Sequence, residues 1–88
     1  PNAILKKLPK QIVLNFNENL LKIGTRAVNQ ISITGPNGEY GIGVTSVSGT
    51  KISRIVRTSN DMGNFLIAWR AVSEDGHVVK GHFKFKVN

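Results

Sequence analysis

Gly63-Asn64-Phe65-Leu66-Ile67-Ala68-Trp69-Arg70-Ala71-Val72-Ser73-Glu74-Asp75-Gly76-His77, followed a little later by Gly81-His82-Phe83-Lys84-Phe85-Lys86-Val87, is the stretch that decides the fold. Phe65, Ile67, Trp69 and Ala71 recur at every second position, as do Phe83, Phe85 and Val87. Side chains of a β-strand alternate between its faces, so a period of two in apolar residues marks a strand with one buried face. These two strands flank Ser73-Glu74-Asp75-Gly76-His77, which holds the chain's only close pairing of carboxylate and imidazole. Functional side chains concentrate on connections held by a rigid scaffold. Wherever the backbone is extended, residues two apart project to the same side. Asp75 and His77 then offer an oxygen and a nitrogen donor to one metal ion.

Upstream, Gln11 to Phe16 alternates, with Ile12, Leu14 and Phe16 on one face and Val13 and Asn15 on the other. Asn17-Glu18-Asn19 breaks that pattern with turn-favouring residues, and Leu20, Leu21 and Ile23 follow before Gly24 as a buried loop or short helical turn. Arg26 to Thr34 is strand-like through Val28, Ile31 and Ile33. In Gly35-Pro36-Asn37-Gly38, proline presets the first bend and Asn-Gly supplies positive φ, so a hairpin turn is expected. Glu39 to Val47 then alternates Tyr40, Ile42 and Val44 against Gly41, Gly43 and Thr45. Ser48-Gly49-Thr50 turns the chain into a strand from Lys51 to Arg57, which polar Thr58 to Gly63 closes. Pro1 to Pro9, apolar at Ala3, Ile4, Leu5 and Leu8, reads as an extended connection and at most a weak strand. No segment has a convincing 3.6-residue period, and no repeat or linker is visible. Six short strands with regular turns predict an all-β fold, an antiparallel sandwich forming a single domain over residues 1–88.

Composition narrows the chemistry. A chain of 88 residues has one modest core. It has no cysteine, which excludes disulfides, zinc ribbons and iron–sulfur clusters and leaves nitrogen and oxygen as metal donors. No apolar run approaches the roughly 20 residues of a membrane span. No signal peptide is visible, so the chain is expected to be cytosolic, already processed or an excised piece. The net charge of +7 raises nucleic acid as a partner. The basic residues, however, are spread from Lys6 to Lys86. Their tightest groups are Lys6-Lys7-Lys10, Arg54/Arg57 and the alternating Lys80, Lys84 and Lys86, with no interleaved aromatic RNA-binding signature. Solvated strand faces and no nucleic-acid partner are expected.

Three stretches resemble the CopC-like copper-resistance domain, a small periplasmic or extracellular β-sandwich of immunoglobulin-like architecture. Phe16-Asn17-Glu18-Asn19-Leu20 looks like the family's strand-ending Phe-Ser/Asn-Glu segment. Gly63 to His77 resembles its signature, in which a glycine, an aromatic residue and a Trp-Arg pair lead into Ser-x-Asp-x-His. Gly81 to Val87 resembles its closing strand, while residues 24 to 62 match loosely. The resemblance implies a Greek-key sandwich that binds Cu(II), with His77, Asp75 and Glu18 as metal ligands. It implies a module for copper resistance and homeostasis that holds or delivers copper outside the cytoplasm, with a membrane copper transporter or membrane-anchored domain as partner. It also implies a seventh strand, beginning with a metal-binding histidine, ahead of Pro1. Imidazole and oxygen donors suit Cu(II), whereas a single methionine, Met62, offers no methionine-rich Cu(I) loop. A metal-free immunoglobulin-like interaction or adhesion domain is the alternative.

The other polar residues have plainer readings. Asp75 before Gly76 also suits an ordinary turn, His77 an ordinary loop histidine and Glu18 a solvated turn. His82 alternates outward from Phe83 and Phe85 and is expected on the surface. Trp69 is expected to anchor the core, and Arg70, opposite it, to brace a loop or face solvent. Ser73, Asp75 and His77 include the residue types of a hydrolytic triad, but triads are usually assembled from separated segments. No enzyme is expected.

Overall fold

Alternating apolar residues and frequent turn formers leave no helix among the described residues, which are 3–23 and 28–88 of a computed structural model. The elements are strands β1 (Ala3–Leu5), β2 (Gln11–Asn15), β3 (Gln30–Gly35), β4 (Gly38–Glu39), β5 (Gly41–Ser48), β6 (Lys51–Val56), β7 (Gly63–Val72) and β8 (Val78–Val87). They form a five-stranded sheet in the order β1-β8-β7-β3-β4 and a three-stranded sheet in the order β2-β6-β5. Neighbours are antiparallel except β1, which runs parallel to the end of β8. All six expected strands are present, and two short ones join them. The expected start at Arg26 of the strand observed as β3 lies outside the described residues.

The β7–β8 hairpin is the backbone of the molecule. Its register runs unbroken from Gly63↔Val87 to Val72↔Val78. On its inner face Phe65, Ile67, Ala71, Phe85 and Val87 are buried, and they pack with Ile12, Ile31, Ile33, Tyr40, Ile52 and Val56. The aromatic centre is tightly ordered: Tyr40 meets Phe65 edge-on at 5.0 Å, and Phe65 stacks on Phe85 at 5.4 Å. Gly35 is required beside them, since a Cβ there would stand 2.4 Å from the Phe65 ring. Each fully buried large side chain in such a core contributes about 1.5–3 kcal/mol relative to exposure.

One expected face is corrected. Tyr40, Ile42 and Val44 do not share the core: Tyr40 is fully buried, but Ile42 and Val44 are 50% and 80% exposed. The chain changes sheet at Tyr40, between β4 and β5. The β5–β6 register then shifts between Ile42 and Ser46, where Gly43 takes a φ of +68°. A bulge of this kind re-aims every side chain beyond it.

The change of sheet leaves much of the outer edge of β3 without a strand partner, and side chains cap it instead. Thr45 Oγ1 accepts from Ile31 N at 3.0 Å, and Arg54 donates to Ile31 O at 2.6 Å. Glu39 Oε2 accepts from Ile33 N at 2.9 Å, from Gly41 N at 3.0 Å and from Arg54 at 3.1 Å.

Candidate metal centre

The centre lies at the end of the sandwich where β7 turns into β8. Glu74, Asp75 and Gly76 form a tight connection: Gly76 N donates to Ser73 O at 2.9 Å, Ser73 N donates to His77 O at 2.9 Å, and Gly76 has a φ of +91°. A turn closed by a left-handed glycine is a common three-residue hairpin loop. Within it, Ser73 Oγ donates to Asp75 Oδ1 and accepts from His77 N at 3.2 Å. His77 Nδ1 stands 3.2 Å from Asp75 Oδ2. The turn, and not the extended backbone expected, brings the pair together.

Glu18 arrives from the other sheet's side. Leu20, buried, forms an isolated bridge with Ser73, Glu74 N donates to Asn19 O at 3.0 Å, and Leu21 N donates to Val72 O at 2.7 Å. On the opposite flank, Phe16 N donates to Thr50 O and Leu20 N to Gly49 O, at 2.9 and 2.8 Å. The loop after β2 is thus pinned between the two hairpin turns. As a result, one ligand atom each from Glu18, Asp75 and His77 lies within 4.8 Å of the others, on an exposed surface. Beside them is a hollow of about 240 Å³ that Phe16, Leu20 and Ala71 help to line.

The electrostatics follow from the hydrogen bonds. The Ser73 hydroxyl, and then the His77 backbone N–H, hold the Asp75 carboxyl below its ordinary value of 3.8, so the carboxylate stays an anionic donor. The side chains of His77 and Asp75 are 78% and 53% exposed, so their contact is screened by solvent and contributes little to folding. Both are accessible to a ligand.

His82 is exposed on the outer face of β8, opposite Ala68, and does not join the cluster. Trp69 is half-buried against the core and lies 6.1 Å from Phe83. Arg70 braces a loop, donating to Val28 O at 3.0 Å. Two positioning residues escape a reading of the sequence. Ser73 orients the Asp75 carboxylate. Asn29, 2% exposed, donates to Leu21 O at 2.7 Å and accepts from Val72 N at 2.8 Å, clamping the Glu18 segment to β7. No local signal marks Asn29, since Gln30 and Ser32 in the same expected strand are polar as well.

The family model of the CopC domain matches residues 1–88. The chain belongs to the CopC family. This CopC domain is 30% identical over 90 residues to Protein YobA of Escherichia coli K12, a match covering 98% of the domain and 69% of YobA. Among solved structures, the CopC of Methylosinus trichosporium OB3b superposes with a TM-score of 0.80 at 21% identity, over 99% of this CopC domain and 83% of that chain. PcoC, a copper resistance protein from Escherichia coli, superposes with a TM-score of 0.70 at 26% identity, over 99% and 89% respectively. The sandwich of this CopC domain is the architecture of those structures.

Proposed function

We propose that this domain binds Cu(II) through His77, Asp75 and Glu18 and holds or delivers it outside the cytoplasm, in copper resistance or homeostasis, without catalytic turnover. The observation that carries this reading is the convergence of one imidazole and two carboxylates, from two separate loops, to within 4.8 Å. Membership of the CopC family and the structural likeness to PcoC, a copper resistance protein, select copper as the cargo.

The donor set favours the cupric ion. Imidazole and carboxylate suit Cu(II), while Cu(I) prefers sulfur. Met62, the chain's one methionine, precedes β7, whereas the cluster follows its far end. At about 3.3 Å per residue the strand separates them by roughly 33 Å. Three donors leave coordination positions for water or for a further imidazole, such as one supplied from ahead of Pro1. A membrane copper transporter or membrane-anchored domain is the partner we assign.

The test is competition against a calibrated chelator, with His77→Ala beside the unaltered domain. One Cu(II) per chain with nitrogen hyperfine structure in the EPR spectrum, and a large loss of affinity in the variant, are expected. Equal affinities, or no stoichiometric copper, would overturn the proposal in favour of a metal-free interaction domain. Affinity should also fall with acidity, because protons compete for all three donors.

A further inference from the structure

We propose that the outer face of the five-stranded sheet is a docking surface for an anionic lipid bilayer. This goes beyond the copper reading and does not depend on it. The face is defined by register. Along β8, Lys80, His82, Lys84 and Lys86 alternate with the core residues and are exposed. Across the ladder, Lys80 stands opposite Arg70, His82 opposite Ala68, Lys84 opposite Leu66 and Lys86 opposite Asn64. β1 adds Ile4, which pairs with Lys86 and is 70% exposed.

No acid balances these charges. Strands β1, β3, β7 and β8 contain no Asp or Glu. Glu39 on β4 is taken up by Arg54 and by the N–H groups of Ile33 and Gly41. Glu18, Glu74 and Asp75 belong to the loops at the sandwich end, and Asp61 is held by Tyr40 and Asn37. Arg70 and Lys80, directly opposite each other, are a like-charge pair that works against the sheet. Arg70 also donates to the Val28 carbonyl, but β1, β3, β7 and β8 supply no carboxylate to neutralise the pair, and an external anion would.

The shape of the patch selects a bilayer. The lysines of β8 share this face with Ser32, Thr34, Leu66, Ala68 and His82, so cations are dispersed over a broad sheet surface of mixed small, polar and apolar side chains. A protein interface normally centres on aromatic residues and is depleted of lysine. Single-stranded nucleic acid favours a platform of several stacking aromatics, and the outward positions of β3, β7 and β8 carry no Phe, Tyr or Trp and a single imidazole, His82. A bilayer surface asks for dispersed cations with an apolar contact at the same level. Ile4 supplies that contact, beside a hollow of about 630 Å³ that Leu66, Lys84 and Lys86 help to line.

The metal-free domain, mixed with vesicles of phosphatidylcholine alone or with phosphatidylglycerol added, tests this by flotation. Binding should require phosphatidylglycerol and vanish as salt rises from about 0.02 to about 0.5 M. The triple variant Lys80→Gln/Lys84→Gln/Lys86→Gln should partition at least about tenfold more weakly. Lys7→Gln/Lys10→Gln/Lys51→Gln removes the same charge elsewhere and should stay within about threefold of the unaltered domain. Circular dichroism checks that both triples are folded. Equal losses in the two triples would reduce the effect to net charge and overturn the proposal. So would binding to a single-stranded oligonucleotide or to polyglutamate without any to anionic vesicles, or no binding at all.

Discussion

Gly81 lies so close to Trp69, its partner in the β7–β8 ladder, that a Cβ at residue 81 would stand 2.3 Å from Cζ2 of the indole. The indole cannot yield inward, because Phe83 and the core are packed against it. Gly81→Ala should therefore cost about 1–3 kcal/mol through overpacking. A urea titration followed by Trp69 fluorescence, the chain's one tryptophan, reads both the loss and the altered environment of the ring. An unchanged midpoint would show that the indole swings aside freely.

Removing Glu39 should uncap the edge of β3. Glu39→Ala leaves the N–H groups of Ile33 and Gly41 without their acceptor and Arg54 without its counter-ion. We expect a loss of about 2–4 kcal/mol, together with concentration-dependent self-association, since unpaired strand edges recruit other strands. Denaturant midpoints and analytical ultracentrifugation check the two effects.

Asn29 should matter to the proposed metal centre without belonging to it. Asn29→Ala opens two buried hydrogen bonds, which implies about 2–4 kcal/mol of lost stability. Because the clamp fixes the segment that carries Glu18, Cu(II) affinity should fall in the variant at temperatures where it remains folded. Isothermal titration beside circular dichroism separates the effects.

Ser73→Ala should leave the Cu(II) donors in place and weaken binding by about 10–100-fold, the range usual for groups that orient a ligand. The hydroxyl both donates to Asp75 and accepts from the His77 backbone. Ser73→Thr retains an oxygen and should recover part of the loss in the same competition assay.

Acid should act on the fold through Asp61. Hydrogen bonds from Tyr40, then Asn37 and Ser59, hold its carboxyl below the ordinary 3.8. A depressed folded value means that this stabilisation is complete above 3.8 and is lost as pH falls through the folded value. Asp61→Asn should flatten the dependence of unfolding free energy on pH in that window and leave its slope near neutrality unchanged. Tyr40→Phe, which removes the 2.6 Å donor, should flatten it in part.

The fold was legible wherever one strand face meets the core. Phe65, Ile67 and Phe85 announce their strands because burial forces the period of two. Val78 to Lys80 carry no such period and are exposed, so only pairing with β7 extends β8 that far. Tyr40 to Val44 misled for the opposite reason: the apolar alternation is real, but a change of sheet and the bulge at Gly43 send Ile42 and Val44 outward. At the centre, Asp75 and His77 were legible as neighbours in sequence, whereas the approach of Glu18 rested on family resemblance. The Leu20–Ser73 bridge and the Asn29 clamp that bring it there are contacts between distant segments. Local pattern does not encode them.

The openness of the Glu18, Asp75 and His77 cluster has a kinetic consequence. A cation held by these side chains, as we propose, would keep part of its coordination sphere facing bulk water, so an acceptor's donor atom could attach before the old bonds broke. Exchange would then follow an associative path whose rate rises with acceptor concentration, and no strand would need to separate first. The double sheet would behave as a rigid handle, with its load carried on the outside.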